Sequence, residues 1–251
     1  MKRDLTVAVV YPDLLGTYGD GGNGTILARR AAWRGIGVSL VLAPSAEPLP
    51  RADVYCIGGG EDGPQVRAAR CLVEDGTLAA AVSDGAAVLA VCAGYQLVGR
   101  RFPDAGGRPV DGVGLLDAVT EKGTGRRAVG EVVAEPLPGS PAPPGSTTLP
   151  TLTGFENHGG RTRVGPGSTV LARVRLGIGN GDGAGGGAGG EGAWSGRVLG
   201  TYLHGPVLAR NPALADLLLE WALGADQPLD PLDDAEAMAL RSERLAAAAR
   251  R

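Results

Sequence analysis

VLAVCAGYQLVG, Val88–Gly99, decides the fold. An apolar strand over Ala87–Val91 runs straight into Cys92. Small Ala93 and Gly94 follow, and a helix begins within Ala93–Gly99. A strand that turns abruptly into a helix through small residues projects the residue at the turn from the C-terminal edge of a parallel sheet. The turn must be tight, and a substrate must come close to its backbone. The helix start also favours a negative charge on the sulfur. A free buried cysteine is ordinarily just a small hydrophobe. Its place at this elbow makes Cys92 the candidate nucleophile.

Upstream, the same texture repeats. Leu5–Tyr11, Val38–Leu42 and Asp53–Ile57 read as buried strands. Gly24–Arg34, Gln65–Asp75 and Thr77–Asp84 read as helices, the first capped by Asn23 and ended by Gly35 and Gly37. Strands alternating with helices imply βαβ units, hence an α/β fold with a mostly parallel sheet flanked by helices. Beyond Leu115 the texture changes. Thr120–Glu135 reads as strand material with a turn, Val170–Leu176 as a strand, and Trp194–Leu203 as a strand ending at His204. Residues 136–150, rich in Pro, Ser and Gly, read as a flexible surface loop. So does 179–192, whose glycine tract has too few side chains to pack and is expected to be removable at little cost in stability. Asn211–Leu223 is a helix with Pro212 in its first turn. These elements make one domain over residues 1–225, followed by a helical tail over 226–251 that is expected to touch a partner.

Composition narrows the function classes. The chain has 251 residues, 43% hydrophobic and 20% charged, enough for one sizeable core. A formal net charge of -3 gives no broad nucleic-acid footprint. The basic residues are arginines except Lys2 and Lys122. Cys56, Cys71 and Cys92 are spaced too irregularly for a zinc site or a disulfide framework, and an odd thiol count suits a reducing cytoplasm. The apolar run after Met1 is shorter than a signal-peptide core, and no stretch approaches the roughly 20 apolar residues of a membrane span.

A thiol nucleophile needs a base, and the chain offers two histidines. His204 ends a strand and precedes Gly205 and Pro206, at the sheet edge where open α/β folds place their sites. His158 lies in GFENHGGRT, Gly154–Thr162, read as a polar loop, and is the weaker candidate. Gly58-Gly59-Gly60 follows a neighbouring strand and can offer a backbone N–H to an oxyanion beside that of Ala93. Cys56, inside a strand, and Cys71, inside a helix, read as structural.

Five motifs in order, YPDLLGTYGDGGN (11–23), GGGEDGPQ (58–65), CAGYQLVG (92–99), GFENHGGRT (154–162) and GTYLHGP (200–206), carry a family resemblance. Together they resemble the cobyric-acid-synthase-like branch of class I glutamine amidotransferases, and within it the GatD-type glutaminase subunits of lipid II isoglutaminyl synthases. The resemblance covers roughly residues 5–220 and implies a flavodoxin-like sheet. It implies that Cys92 attacks the side-chain amide of glutamine, that His204 shuttles the proton, and that a glutamyl thioester forms and is hydrolysed. It also implies an arginine for the glutamine carboxylate. In GRRAVGEV (125–132) Arg127 fits the spacing, with Arg126 as its rival. A guanidinium can fork onto a carboxylate where a lysine cannot. The usual acid two residues after the histidine is replaced by Pro206. The orienting carboxylate must come from elsewhere, with Asp20 and Glu156 as candidates.

The resemblance further implies a heterodimer with a Mur-ligase-like synthetase subunit in the cytoplasm. That partner would use ATP and Mg and bind the lipid-linked acceptor, so no cofactor and no metal are expected on this chain, which also lacks a Gly-x-x-x-x-Gly-Lys-Ser/Thr loop. The product would be D-isoglutamine in lipid II, a step of peptidoglycan synthesis bearing on cell shape. The loops 11–23 and 154–162 are expected at the contact. A cobyric-acid-type synthase is the main alternative. Such chains fuse the glutaminase to an ATP-binding unit, and a start at Met1 is taken to speak against it. A scaffolding subunit without activity and a general cysteine hydrolase are the others.

Overall fold

The computed structural model describes residues 3–143, 146–181, 189–224 and 229–248. In chain order the first half comprises β1 (Leu5–Val10), α1 (Gly22–Ala32), β2 (Val38–Ala43), β3 (Val54–Ile57), α2 (Asp62–Asp75), α3 (Thr77–Ser83), β4 (Ala87–Val91) and α4 (Ala93–Val98). The second half comprises β5 (Arg101–Pro103), β6 (Pro109–Asp111), β7 (Ala118–Lys122), β8 (Ala128–Pro136), β9 (Leu152–His158), β10 (Gly160–Val164), β11 (Thr169–Leu176), β12 (Gly190–Ser195), β13 (Val198–Thr201), α5 (Val207–Arg210), α6 (Pro212–Leu223) and α7 (Ala235–Ala248). No helix among the described residues is long and apolar enough to cross a membrane.

Among the described residues, the main sheet runs β2-β1-β3-β4-β13-β12-β11-β8-β9. The five strands from β2 to β13 are parallel, in the doubly wound order expected of the α/β class. Right-handed crossovers place α1 on one face and α2, α3 and α4 on the other. With helices on both faces, every residue of β3, β4 and β13 is buried, so these strands read as continuous apolar runs. From β13 onward the sheet continues antiparallel. It curls until Phe155 of β9 exchanges both backbone hydrogen bonds with His204, at 3.1 and 2.8 Å.

Several sequence expectations are corrected. The helix after the first loop starts at Gly22, so Asn23 lies inside it. Its side-chain oxygen accepts the Leu208 N–H (3.0 Å) instead of capping. GFENHGGRT is not a loop but most of β9 and β10, which belong to different sheets. Strands β7 and β8 likewise part company, β7 pairing with β10 in a second, four-stranded sheet. The run Trp194–Leu203 is a hairpin, β12 and β13, turning at Gly196 (φ 55°). The glycine tract is ordered at both ends. Asn180 is buried and holds Gly192 through two hydrogen bonds, and Gly190 opens β12. A deletion reaching Gly190 would therefore cut into a strand, while residues 182–188 lie outside the described residues. In the 136–150 segment, Ser140 and Leu149 are buried, and Ser140 bonds the Leu171 carbonyl (2.6 Å). Residues 144–145 lie outside the described residues. The tail helix α7 returns to the body, where Arg241 bonds the Asn211 side chain (2.9 Å) and Asp234, just before α7, pairs with buried Arg30 (2.6 Å).

Helix α4, which follows Cys92, lies on β13, which precedes His204, and the two meet at Gly200. A Cβ there would stand 2.0 Å from the Tyr95 ring. Substitution Gly200→Ala should lower stability in urea unfolding by about 1–3 kcal/mol through overpacking, and should cost activity as well by prising the helix from the strand.

Candidate active site

Neighbouring parallel strands bring the two key residues together. Val91 of β4 is in register with Thr201 of β13, and the Cys92 N–H is donated to the Thr201 carbonyl (2.8 Å). Cys92 and His204 thus leave adjacent strands at the same C-terminal edge. Cys92 sits at φ 54°, ψ -106°, a region L-residues rarely occupy, as a nucleophile elbow requires. Gly94 makes the turn possible. A Cβ there would lie 2.6 Å from the Ile57 carbonyl oxygen.

His204 is 3% exposed. Its Nδ1 pairs with Asp20 Oδ2 at 2.9 Å, and that same oxygen accepts the Gly59 N–H at 2.9 Å. Tyr18 leans against the imidazole with ring centroids 4.7 Å apart. Burial alone would strip the imidazole of its proton. Hydrogen bonding and charge from Asp20 and Cys92 outweigh that and push its pKa up to about 10. Cys92 acts on the ring without meeting the geometry of a fully formed hydrogen bond, and Nε2 has no other partner among the described residues. Such pairings are often loose until substrate tightens them. The carboxylate that pairs with this histidine is Asp20, from the first loop.

Glu156, the other candidate for that role, serves the other histidine. Its carboxylate accepts the N–H groups of Ile178 and Gly179, both at 2.8 Å, and approaches His158 Nε2 at 3.4 Å. His158 Nδ1 faces the Gly160 carbonyl (3.1 Å), and its ring stacks on Tyr202 at 3.7 Å between centroids. Burial lowers its pKa, so it stays neutral. Its nitrogens are engaged away from the thiol, and His158 is a wall of the site rather than its base.

A cavity of about 280 Å³ opens over Cys92, lined by Gly60, Ala93, Gln65, Gln96 and Arg127 among others. Arg127 is fixed from Nε to the Asn157 side-chain oxygen (2.6 Å) and from Nη2 to the Asn157 carbonyl (3.1 Å). Its rival Arg126 does not line this cavity. Asn157 also donates to the Tyr18 hydroxyl (3.3 Å), so one residue links the arginine to the loop that carries Asp20. Behind Cys92, Gln65 bonds Gln96 (2.9 Å), Gln96 bonds Tyr202 (3.2 Å), and Tyr202 bonds Thr162 (2.6 Å). Glu191, fully buried with its pKa pushed up to about 7 by desolvation, holds the Thr201 hydroxyl and the Tyr202 N–H at the end of β13.

Sequence reasoning missed Tyr18, Asn157, Gln96 and Glu191. The first three lie inside quoted motifs and could have been singled out as polar residues beside the chemistry. Glu191 sits in the glycine tract and gave no signal. Cys56 and Cys71 stay structural. Cys56 is buried in β3 with its thiol pushed up to about 12, and Cys71 lies within α2.

Residues 6–212 match the family model of the CobB/CobQ-like glutamine amidotransferase domain. The chain belongs to the CobB/CobQ-like glutamine amidotransferases. Relatives agree with that family. The lipid II isoglutaminyl synthase (glutamine-hydrolyzing) subunit GatD of Staphylococcus aureus is 38% identical over 88% of this chain and 85% of its own length. That of Streptococcus pneumoniae is 30% identical over 92% and 86%. A cobyric acid synthase of Methylobacterium nodulans is 37% identical over 67% of this chain but 32% of its own length. Among solved structures, a glutamine amidotransferase at 22% identity covers 86% of this chain and 98% of itself with a TM-score of 0.54, a likeness of fold.

The raised pKa of His204 has a consequence for this amidotransferase. An imidazole that keeps its proton more tightly when folded stabilises the fold fully below the unfolded value near 6.5. That stabilisation is lost as pH rises through about 10. Asp20→Asn removes one cause of the shift. NMR titration should find the His204 midpoint moved down toward 6.5, and the pH dependence of stability between those limits should flatten.

Proposed function

We propose that this chain is the glutaminase subunit of a two-chain lipid II isoglutaminyl synthase, with Cys92, His204 and Asp20 as its catalytic triad. The carrying observation is the Asp20–His204 pair placed beside Cys92 at a strained elbow. The near full-length match to the GatD subunits supports the acceptor. The cobyric acid synthase match spans 67% of this chain against 88% and 92% for the GatD subunits, which favours the GatD reading.

The Cys92 sulfur, its proton already held by the His204 imidazolium, attacks the side-chain amide carbon of glutamine. The N–H groups of Ala93 and Gly60 receive the oxyanion. The Gly59 N–H is already committed to Asp20. His204 then protonates the amide nitrogen, the C–N bond breaks, and ammonia leaves a glutamyl thioester. Water, deprotonated by the now neutral imidazole, attacks the thioester and frees glutamate and the thiol. Asp20 keeps Nδ1 oriented so that Nε2 does the proton transfer. Arg127 holds the α-carboxylate in a fork, itself held by Asn157.

Ammonia set free in water would take a proton and lose its nucleophilicity. A sealed passage to a Mur-ligase-like partner is the physical reason for a complex in the cytoplasm. On this reading the partner holds ATP and Mg, activates the D-glutamate carboxyl of lipid II, and amidates it to D-isoglutamine. Loop 11–23 and the β9–β10 segment flank the cavity and face that partner.

The test is a glutaminase assay of this chain with and without a purified Mur-ligase-like synthetase subunit. Cys92→Ala and His204→Ala should each reduce ammonia release by 10³-fold or more while the chain still folds by circular dichroism. Normal turnover by either would rule out the pair. Arg127→Ala should raise KM by about tenfold or more with a smaller change in kcat, and an unchanged KM would remove it from substrate binding.

A further inference from the structure

Glutamine arrives as a zwitterion, and Arg127 answers only its carboxylate. The cavity over Cys92 also presents Asp62, Asp104 and Lys122. Asp104 is already spent. Its Oδ1 accepts the Arg108 N–H at 2.9 Å, and its Oδ2 takes the Arg108 side chain at 2.9 Å. Lys122 has the wrong sign for an ammonium group and is turned to the Ala105 carbonyl (3.2 Å). His158 is kept neutral by burial. Asp62 differs from all of these, because it makes no hydrogen bond or ion pair within the described residues.

Its position is defined by α2. Asp62 opens this helix three residues before Gln65, so the two share a face. Gln65 reaches back to the elbow, bonding Gln96 (2.9 Å) and the Ala93 carbonyl (3.4 Å). Asp62 therefore lines the same cavity about 4.5 Å farther along the helix axis. In glutamine the amide carbon and the α-nitrogen are separated by four single bonds, about 5 Å when extended. A glutamine with its amide carbon at the sulfur thus carries its ammonium group out into the cavity that Asp62 lines.

We propose that the Asp62 carboxylate receives the α-ammonium group of glutamine while Arg127 receives the α-carboxylate, so that the pair selects α-amino acids over plain acid amides. The assignment rests on the glutaminase reading of the site. An acid in the first turn of a helix also stabilises that helix. A purely structural role, however, leaves substrate discrimination untouched.

Two thiol-alkylating diazoketones separate these roles, one carrying the full glutamine backbone and one lacking its α-amino group. Labelling of Cys92 in the full chain is followed by mass spectrometry. The unsubstituted protein should prefer the amino-bearing reagent. Asp62→Asn should cut that preference by about tenfold, and Asp62→Glu should restore part of it. Iodoacetamide, which has no backbone to recognise, should label all three at one rate and so report an intact elbow. An undiminished preference in Asp62→Asn, with normal labelling, overturns the assignment of Asp62 alone. Failure of the unsubstituted chain to be labelled by the amino-bearing reagent would overturn the glutaminase reading and this proposal with it.

Discussion

One carboxylate oxygen, Oδ2 of Asp20, ties together three separate stretches of chain. It accepts from the imidazole that follows β13 and from the Gly59 backbone that follows β3, and it belongs to the loop that follows β1. Three loops leaving three strands of one parallel sheet are thereby closed over a single buried point. Asp20 is 2% exposed, and in that setting polar bonds are strong when made and costly when missing. The fit is close on every side. A Cβ on Gly59 would fall 2.9 Å from the His204 ring and 3.2 Å from this same oxygen.

Strain at the nucleophile is held by the same architecture. A cysteine at φ 54° costs on the order of 1–3 kcal/mol, and it persists because its surroundings leave no alternative. Its N–H is committed to Thr201 and its carbonyl to Gln96, while Gly94 donates to Gly58 (3.1 Å). The elbow is thus bonded to the strands on both sides. Tyr11, which opens the first loop at φ 48°, is the other non-glycine residue with positive φ among those described. Both stand where a β-strand is made to turn sharply toward the site.

Legibility in the sequence followed burial. Strands β1, β3 and β4 are covered on both faces, so their apolar runs announced themselves, and with them the elbow at Cys92 and the class of fold. Strands β9 and β10 carry Glu156, Asn157, His158 and Arg161 in a stretch dense with glycine, which reads as a loop. They are strands because sheet pairing supplies what composition does not. Cys92 and His204 could be paired from their shared place at strand ends. Asp20 and Glu156 could not be ranked, since both lie in polar loops or apparent loops. Only the fold shows that Glu156 is absorbed by His158 and two backbone amides. The glycine tract misled for a related reason. Asn180 and Glu191, the two residues that anchor it, are buried polar groups with no periodic signature.

The curled end of the sheet sets which parts of this gene can change length. Phe155 grips the backbone of His204 from both sides, and two positions farther along the same strand Asn157 supports Arg127. Along a strand, side chains alternate between faces. Inserting a single codon between Phe155 and Asn157 would turn Asn157 away from the arginine while leaving the grip on the histidine in place. Substrate capture would be uncoupled from proton transfer. The connection between β8 and β9 is pinned at Ser140 and Leu149 but carries no such strand alternation, so length variation should collect there and be shunned only a few residues later.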